Sequence, residues 1–193
     1  MKRTGGAPHG PRPGSAADES PDADPVEVAR AICLRQLTAG PRSRSQLAQV
    51  MARRGVPEEA AATVLERFTD VGLVDDAAFA HAWVETRHRG RSLGRRALAH
   101  ELRARGIGQE ESTAALESLS AEQEEASARE LVRHRMRSTR GLDRVARVRR
   151  LAGVLARKGY PPGLALRVVR EAIALDDADS PLEGLVDDDP EAV

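Results

Sequence analysis

Aromatic side chains make up only 2% of this chain: one Trp, one Tyr and two Phe. So few π-faces exclude a platform that stacks single-stranded bases. Cysteine occurs once, as Cys33. That excludes a disulfide framework within the chain and fits a reducing cytoplasm. Cys33 shares a helical stripe with Ala29 and Leu37, which makes it a small core residue rather than a nucleophile. There is no run of 18 apolar residues, so no transmembrane helix and no membrane partner is expected. The two early basic residues precede no apolar stretch of the kind a secretory signal needs. No alternating strand pattern appears, which predicts an all-α fold.

Catalytic groupings are missing too. No Cys/His cluster has metal-ligand spacing, and His81 and His88, seven apart on one helix, do not make a metal site. No Gly-rich phosphate loop follows a strand, and no Ser sits in a nucleophile elbow. Asp75-Asp76 is a carboxylate pair, but a helix start accounts for both. The expectation is a non-enzyme without cofactor or metal.

What is present is charge, unevenly distributed. The 30 basic and 30 acidic residues cancel. Residues 1–24 are rich in Gly, Pro, Ala and Asp without apolar periodicity. Residues 176–193 carry eight acids and no base. Both segments are expected to be unfolded, because they cannot bury enough apolar surface to offset ordering entropy. Setting aside the three basic and twelve acidic residues of these ends leaves 27 against 18, a core of net +9. A basic core favours an anionic partner, either nucleic acid or an acidic protein surface.

Between the ends one helical pattern recurs three times. Asp24-Pro25-Val26-Glu27 opens a first helix, whose inward residues are Val28, Ile32 and Leu37. Ser43-Arg44-Ser45-Gln46 is a capping-box sequence, followed by Leu47 and Met51. Pro57-Glu58-Glu59 starts a helix carrying Val64, Leu65 and Phe68, and Gly72 ends it. Aligned on Gly55, Gly106 and Gly159, which lie 51 and 53 residues apart, the pattern repeats. Leu47, Leu98 and Leu151 sit eight residues before the glycine. Met51, Leu102 and Leu155 sit four before it. Arg54, Arg105 and Lys158 immediately precede it, and Val56, Ile107 and Tyr160 follow it. The organisation expected is a leader (1–24), three-helix repeats at 26–72, 73–119 and 120–175, and an acidic tail (176–193). Each unit of about 50 residues has a thin core, so the three should stack into an elongated, curved body with a long contact surface.

In the central unit, Asp75 is an N-cap, and Phe79, Ala82, Trp83 and Thr86 form the expected apolar face. Arg89-Gly90-Arg91 is expected to break that helix, with Ser92 capping the next. There Leu98 and Leu102 face inward while Arg96, His100 and Arg103 project outward. In the third unit Ser120-Ala121-Glu122-Gln123 is another capping box. The middle helix is expected to bury Val145, Val148, Leu151 and Leu155, with Arg150 and Arg157 opposite. The last helix is expected to run from Pro161 to Leu175 and to use Leu164, Leu166, Val168, Val169 and Ile173.

The binding surface expected from this pattern is Arg87, Arg89, Arg91, Arg95, Arg96, Arg103 and Arg105 in the central unit, with Arg147, Arg150 and Arg157 in the third. Such faces suit carboxylates on a protein or phosphates of DNA, single- or double-stranded. The residues do not tell DNA from protein: a stand-alone helix-turn-helix DNA-binding protein and an adaptor for an acidic protein surface both stay open.

Residues 26–119 resemble the RecX family of recombination regulators. The resemblance rests on Gly72-Leu73-Val74-Asp75-Asp76, Phe79-Ala80, Val84 and Arg87, then Gly94, Arg96, Leu98, Glu101-Leu102, Arg105 and Gly106-Ile107. Ser43-Arg44-Ser45-Gln46-Leu47 and Arg54-Gly55 add to it, and the third unit fits by layout. The chain departs from the family pattern at Gln46, Leu93 and Arg95. The resemblance implies tandem three-helix units in a monomeric, cytoplasmic inhibitor of the RecA recombinase. Such a protein would lie in the groove of the RecA–DNA filament, limit filament growth, and lower ATP hydrolysis, strand exchange and co-protease activity.

Overall fold

The computed structural model describes residues 24–179. Residues 1–23 of the expected unfolded leader and residues 180–193 of the expected acidic tail lie outside these residues. Among the described residues the fold is all-α: nine α-helices, one short 3₁₀ turn and no strand. They are α1 (Pro25–Thr38), α2 (Arg44–Arg53), α3 (Glu58–Asp70), α4 (Asp76–Arg91), α5 (Arg95–Ala104), α6 (Gln109–Glu117), α7 (Ala121–Met136), α8 (Arg144–Arg157) and α9 (Pro162–Asp179).

These helices divide into two compact units. The first takes described residues 24–42 and 46–74, and the second takes Ser43–Ser45 and everything from Asp75 on. In the first unit α1 starts at Asp24, whose carboxylate accepts the Val26 N–H at 3.0 Å, with Pro25 in the first turn. Its core gathers Ala29, Ile32 and Cys33 of α1, Leu47 and Met51 of α2, and Val64, Leu65 and Phe68 of α3. Cys33 is fully buried, and its thiol points at Met51 Sδ, 3.6 Å away. Burial pushes its pKa up, which suits an inert core thiol.

The second unit holds two helix triads, each with its own core. In α4–α6 the core is Phe79, Ala80, Val84, Leu93, Leu98, Leu102, Ile107, Ala115 and Leu119. In α7–α9 it is Ala128, Val132, Met136, Leu151, Leu155, Tyr160, Ala165, Val168, Val169 and Ile173. Helix α7 carries the capping box anticipated at Ser120 and Gln123, with both reciprocal bonds formed.

All three middle helices, α2, α5 and α8, end in the same way. Gly55, Gly106 and Gly159 adopt φ of +76°, +70° and +83°. The residue after each glycine returns its N–H to the carbonyl five residues earlier: Val56 to Met51 at 3.1 Å, Ile107 to Leu102 at 3.2 Å, Tyr160 to Leu155 at 3.1 Å. This is a Schellman stop, and its left-handed residue strongly favours glycine. Ile107 and Tyr160 then re-enter the core, and half-buried Val56 packs against it, which gives the 51- and 53-residue repeat its structural basis.

Four local expectations are corrected. Helix α4 runs through Gly90 to Arg91, and Ser92 is its left-handed C-cap (φ +48°), not an N-cap. The cap of α5 is Gly94. The buried face of α4 is Phe79, Ala80 and Val84, with Trp83 half-buried, while Ala82 and Thr86 are exposed. In α8 and α9, Val145 (76% exposed) and Leu166 (37%) lie outside the core, and Arg147 takes an inward place. Finally, α9 continues past Leu175 to Asp179, so the stretch assigned to an unfolded tail begins as helix.

Candidate interaction surface

The ten arginines proposed for binding fall into three groups. Those of the first group are tied into the fold. Trp83 lies between two guanidinium groups, with the Arg87 Cζ 4.1 Å and the Arg105 Cζ 3.5 Å from its ring centroid. Its indole N–H donates to Glu101 Oε2 at 2.7 Å, and Phe79 stacks alongside with centroids 5.8 Å apart. Arg87 is 3.5 Å from the same carboxylate, and Arg105 donates to the Glu101 carbonyl at 3.0 Å. Burial lowers the pKa of Arg105, partly opposed by Glu101. The Arg105 carbonyl in turn accepts the hydroxyl of fully buried Ser43 at 2.6 Å. These contacts make Arg87 and Arg105 part of a cation–π stack that fixes α4 against α5.

Arg95 is held as firmly. Gly94 has no side chain to cap α5, and other groups accept the free N–H donors. Glu124 of α7, itself buried, accepts the Arg95 N–H at 2.9 Å and also pairs with its guanidinium at 3.4 Å. The Gly159 carbonyl accepts the Arg96 N–H at 3.2 Å, and Gly94 N–H donates to Lys158 O at 2.8 Å. The approach is so close that a Cβ on Gly94 would lie 2.8 Å from Gly159 O. This seam joins the two triads of the second unit.

Arg147 leaves the candidate surface altogether. It is 8% exposed and sits on the core stripe of α8, four residues before Leu151 and eight before Leu155. Its guanidinium pairs with Asp176 and, at 3.0 Å, with Asp177 of α9. The apolar surroundings of that stripe require such a partner, and the first acids of the expected tail supply it.

The second group is a single residue: Arg89, exposed but paired with Glu85 at 2.9 Å on its own helix. The third group is free. Arg91, Arg96, Arg103, Arg150 and Arg157 are exposed and make no ion pair among the described residues. On α5, Arg96, His100 and Arg103 form an outward face, as their spacing predicts, with Leu98 and Leu102 fully buried behind them. Sequence reading missed Glu101 and Glu124 as organisers, because each acts on a residue 18 to 29 positions away. It also missed the inward Arg147, although the i, i+4, i+8 spacing to Leu151 and Leu155 was a usable signal.

Family models of the first, second and third three-helix domains of RecX match residues 29–68, 75–116 and 122–169. The chain belongs to the RecX family. It is 60% identical over 153 residues to the regulatory protein RecX of Streptomyces coelicolor, covering 79% of this chain and 81% of that protein. With the regulatory protein RecX of Thermobifida fusca it shares 54% over 179 residues, 91% of this chain and 95% of the relative. The crystal structure of RecX from Lactobacillus salivarius superposes with a TM-score of 0.73 at 15% identity, covering 78% of this chain and 97% of that one. A second RecX crystal structure gives 0.70 at 23%, covering 77% and 72%. Both share the fold. The RecX relatives named here are regulatory proteins. No group of three or more His, Cys, Asp or Glu among the described residues could hold a metal, and no described helix is long and apolar enough to cross a membrane.

Proposed function

We propose that this chain inhibits the RecA recombinase by lying in the groove of the RecA–DNA filament, where it limits filament growth and lowers ATP hydrolysis, strand exchange and co-protease activity. Membership of the RecX family supports the choice of partner. The observation that carries the choice of surface is the α5 face of Arg96, His100 and Arg103, exposed and without a carboxylate partner among the described residues. A cation kept free of internal partners is available to carboxylates on a filament or to its DNA. The three helix triads, 26–72, 73–119 and a third now extended to residue 179, would each offer one basic middle helix. A filament repeats its docking sites, so several weak contacts on one chain combine into tight binding.

The test is Arg96→Glu together with Arg103→Glu. Both residues are exposed, so helix content should be unchanged by circular dichroism. Half-inhibition of RecA should need at least about tenfold more protein, equivalent to about 1.4 kcal/mol of lost contact. Unaltered inhibition by the folded double variant would remove the α5 face from the contact.

A further inference from the structure

We infer that the groove between α8 and α9 is a docking site for this chain's own acidic segment, residues 180–193. The groove holds about 420 Å³ and is lined by Arg144, Val145, Val148, Arg149 and Arg170. The segment lies outside the described residues, and its sequence is SPLEGLVDDDPEAV. It carries five acids, Glu183, Asp187, Asp188, Asp189 and Glu191, and no base. Leu182, Leu185 and Val186 lie among them.

The groove has an apolar floor and a basic rim. Val145 is 76% exposed, more than any other large apolar side chain described, and half-buried Val148 lies three residues further along α8. Apolar surface left in water is unfavourable, and a covering apolar side chain removes that cost. Arg149 and Arg170 are exposed and make no ion pair among the described residues, and no acid lines the groove. A phosphate backbone would meet the rim but leave the valines in water, and a wholly apolar helix would do the reverse. The fitting occupant is apolar and acidic together.

Position selects the segment. Asp177 pairs with Arg144 at 3.5 Å, so α9 ends beside the groove. The two acids shortly before the segment, Asp176 and Asp177, already dock on α8 through Arg147 and Arg144. The segment would extend that contact. Leu182 lies five residues past Asp177, up to about 16 Å of extended chain. Val148 lies four residues past Arg144, about 6 Å along α8, and Arg170 seven before Asp177, about 10 Å along α9. A tether this short gives an effective concentration of about millimolar, so individually weak contacts suffice. A second groove of this triad, between α7 and α9, fits less well, because its Arg129 and Arg133 are paired with Glu171 and Glu130. Docked between α8 and α9, the segment is a tethered competitor for any anion that approaches this face.

The experiment reads access to the groove in the full chain. Val145→Cys places a thiol at its exposed edge, and Leu34→Cys, at a side chain 45% exposed in the first unit, is the control. The natural Cys33 is buried and reacts slowly. Each variant is labelled with a neutral maleimide, with residues 180–193 present and removed. The thiol at position 145 should react at least about fivefold more slowly with the segment present. Arg149→Ala with Arg170→Ala should restore most of the lost rate, and so should Leu182→Ser with Leu185→Ser and Val186→Ser. The control should react equally with and without the segment. Equal rates at position 145 with and without it would overturn the assignment, as would the same slowing at both positions. So would a slow reaction that persists without the segment and slows further as protein concentration rises, which would mean that a second copy covers the groove. Should Val145→Cys prove unfolded by circular dichroism, Val148→Cys carries the same test. The assay contains no recombinase and no DNA, so its outcome is independent of the regulatory reading above.

Discussion

Trp83 is the clearest case of a residue whose role depends on its neighbours' charge. It lies half-buried between the guanidinium groups of Arg87 and Arg105, with its indole N–H bound to Glu101. Truncating a fully buried aromatic costs about 3–5 kcal/mol, so Trp83→Ala, with part of the ring already in water, should cost about 2 kcal/mol in thermal unfolding. A neutral result would mean that the stack contributes nothing to the fold and that the Arg pair is free for binding. The stop glycines allow a sharper comparison, because they share one backbone conformation in different surroundings. Gly55 has nothing within 4 Å of an added Cβ, whereas a Cβ on Gly159 would lie 2.3 Å from the Ala97 backbone nitrogen. Gly55→Ala should therefore cost only the left-handed penalty, about 1 kcal/mol. Gly159→Ala adds a backbone clash and should cost at least about 2 kcal/mol more. Equal losses in denaturant unfolding would contradict the close seam between α5 and the α8–α9 turn.

At the scale of helices, α9 is held to α8 at both ends of their contact, by the Tyr160–Val169 core near the turn and by Arg147 with Asp176 and Asp177 at the far end. Arg147→Ala removes both pairs. The two carboxylates keep some contact with water, so the loss should be about 1–3 kcal/mol, not the larger cost of stranding a fully buried charge. Hydrogen exchange should quicken in the last turns of α9 and stay unchanged in α1–α3; a uniform increase across the chain would contradict a local anchor. This helix also shows where sequence reading stops. Caps are local, so Asp24, Asp75 and the Ser120–Gln123 box were legible, as were the three Schellman glycines. Burial in an Ala- and Arg-rich helix was less so. Ala80, Ala128 and Ala165 are buried but give little amphipathic signal. In α4 the inferred face was therefore rotated onto Ala82 and Thr86. The end of α9 depends on ion pairs spanning 29 and 30 residues, which no window of sequence contains. For the surface, spacing placed Arg96, His100 and Arg103 outward correctly, whereas which other arginines were already occupied depended on the non-local partners Glu101 and Glu124.

At the scale of the described residues together, the proposed binding arginines divide mainly into those tied into the fold and those left exposed without an ion pair. Arg87, Arg95, Arg105 and Arg147 spend their charge inside the fold, on an aromatic ring or on internal carboxylates and carbonyls. Arg96 and Arg103 on α5, and Arg150 and Arg157 on α8, are exposed and make no ion pair among the described residues, and these are the cations we propose for a partner. A regulator working by multivalent contact with a repeating filament needs such free cations on more than one helix, and it acts below one copy per protomer because each bound chain affects growth of the assembly beyond its own site. The most direct measurement is single-stranded-DNA-dependent ATP hydrolysis by the cognate RecA during titration with this protein. A fall in hydrolysis at substoichiometric amounts is the predicted result. Unchanged hydrolysis at concentrations well above that of RecA would contradict the proposed inhibition.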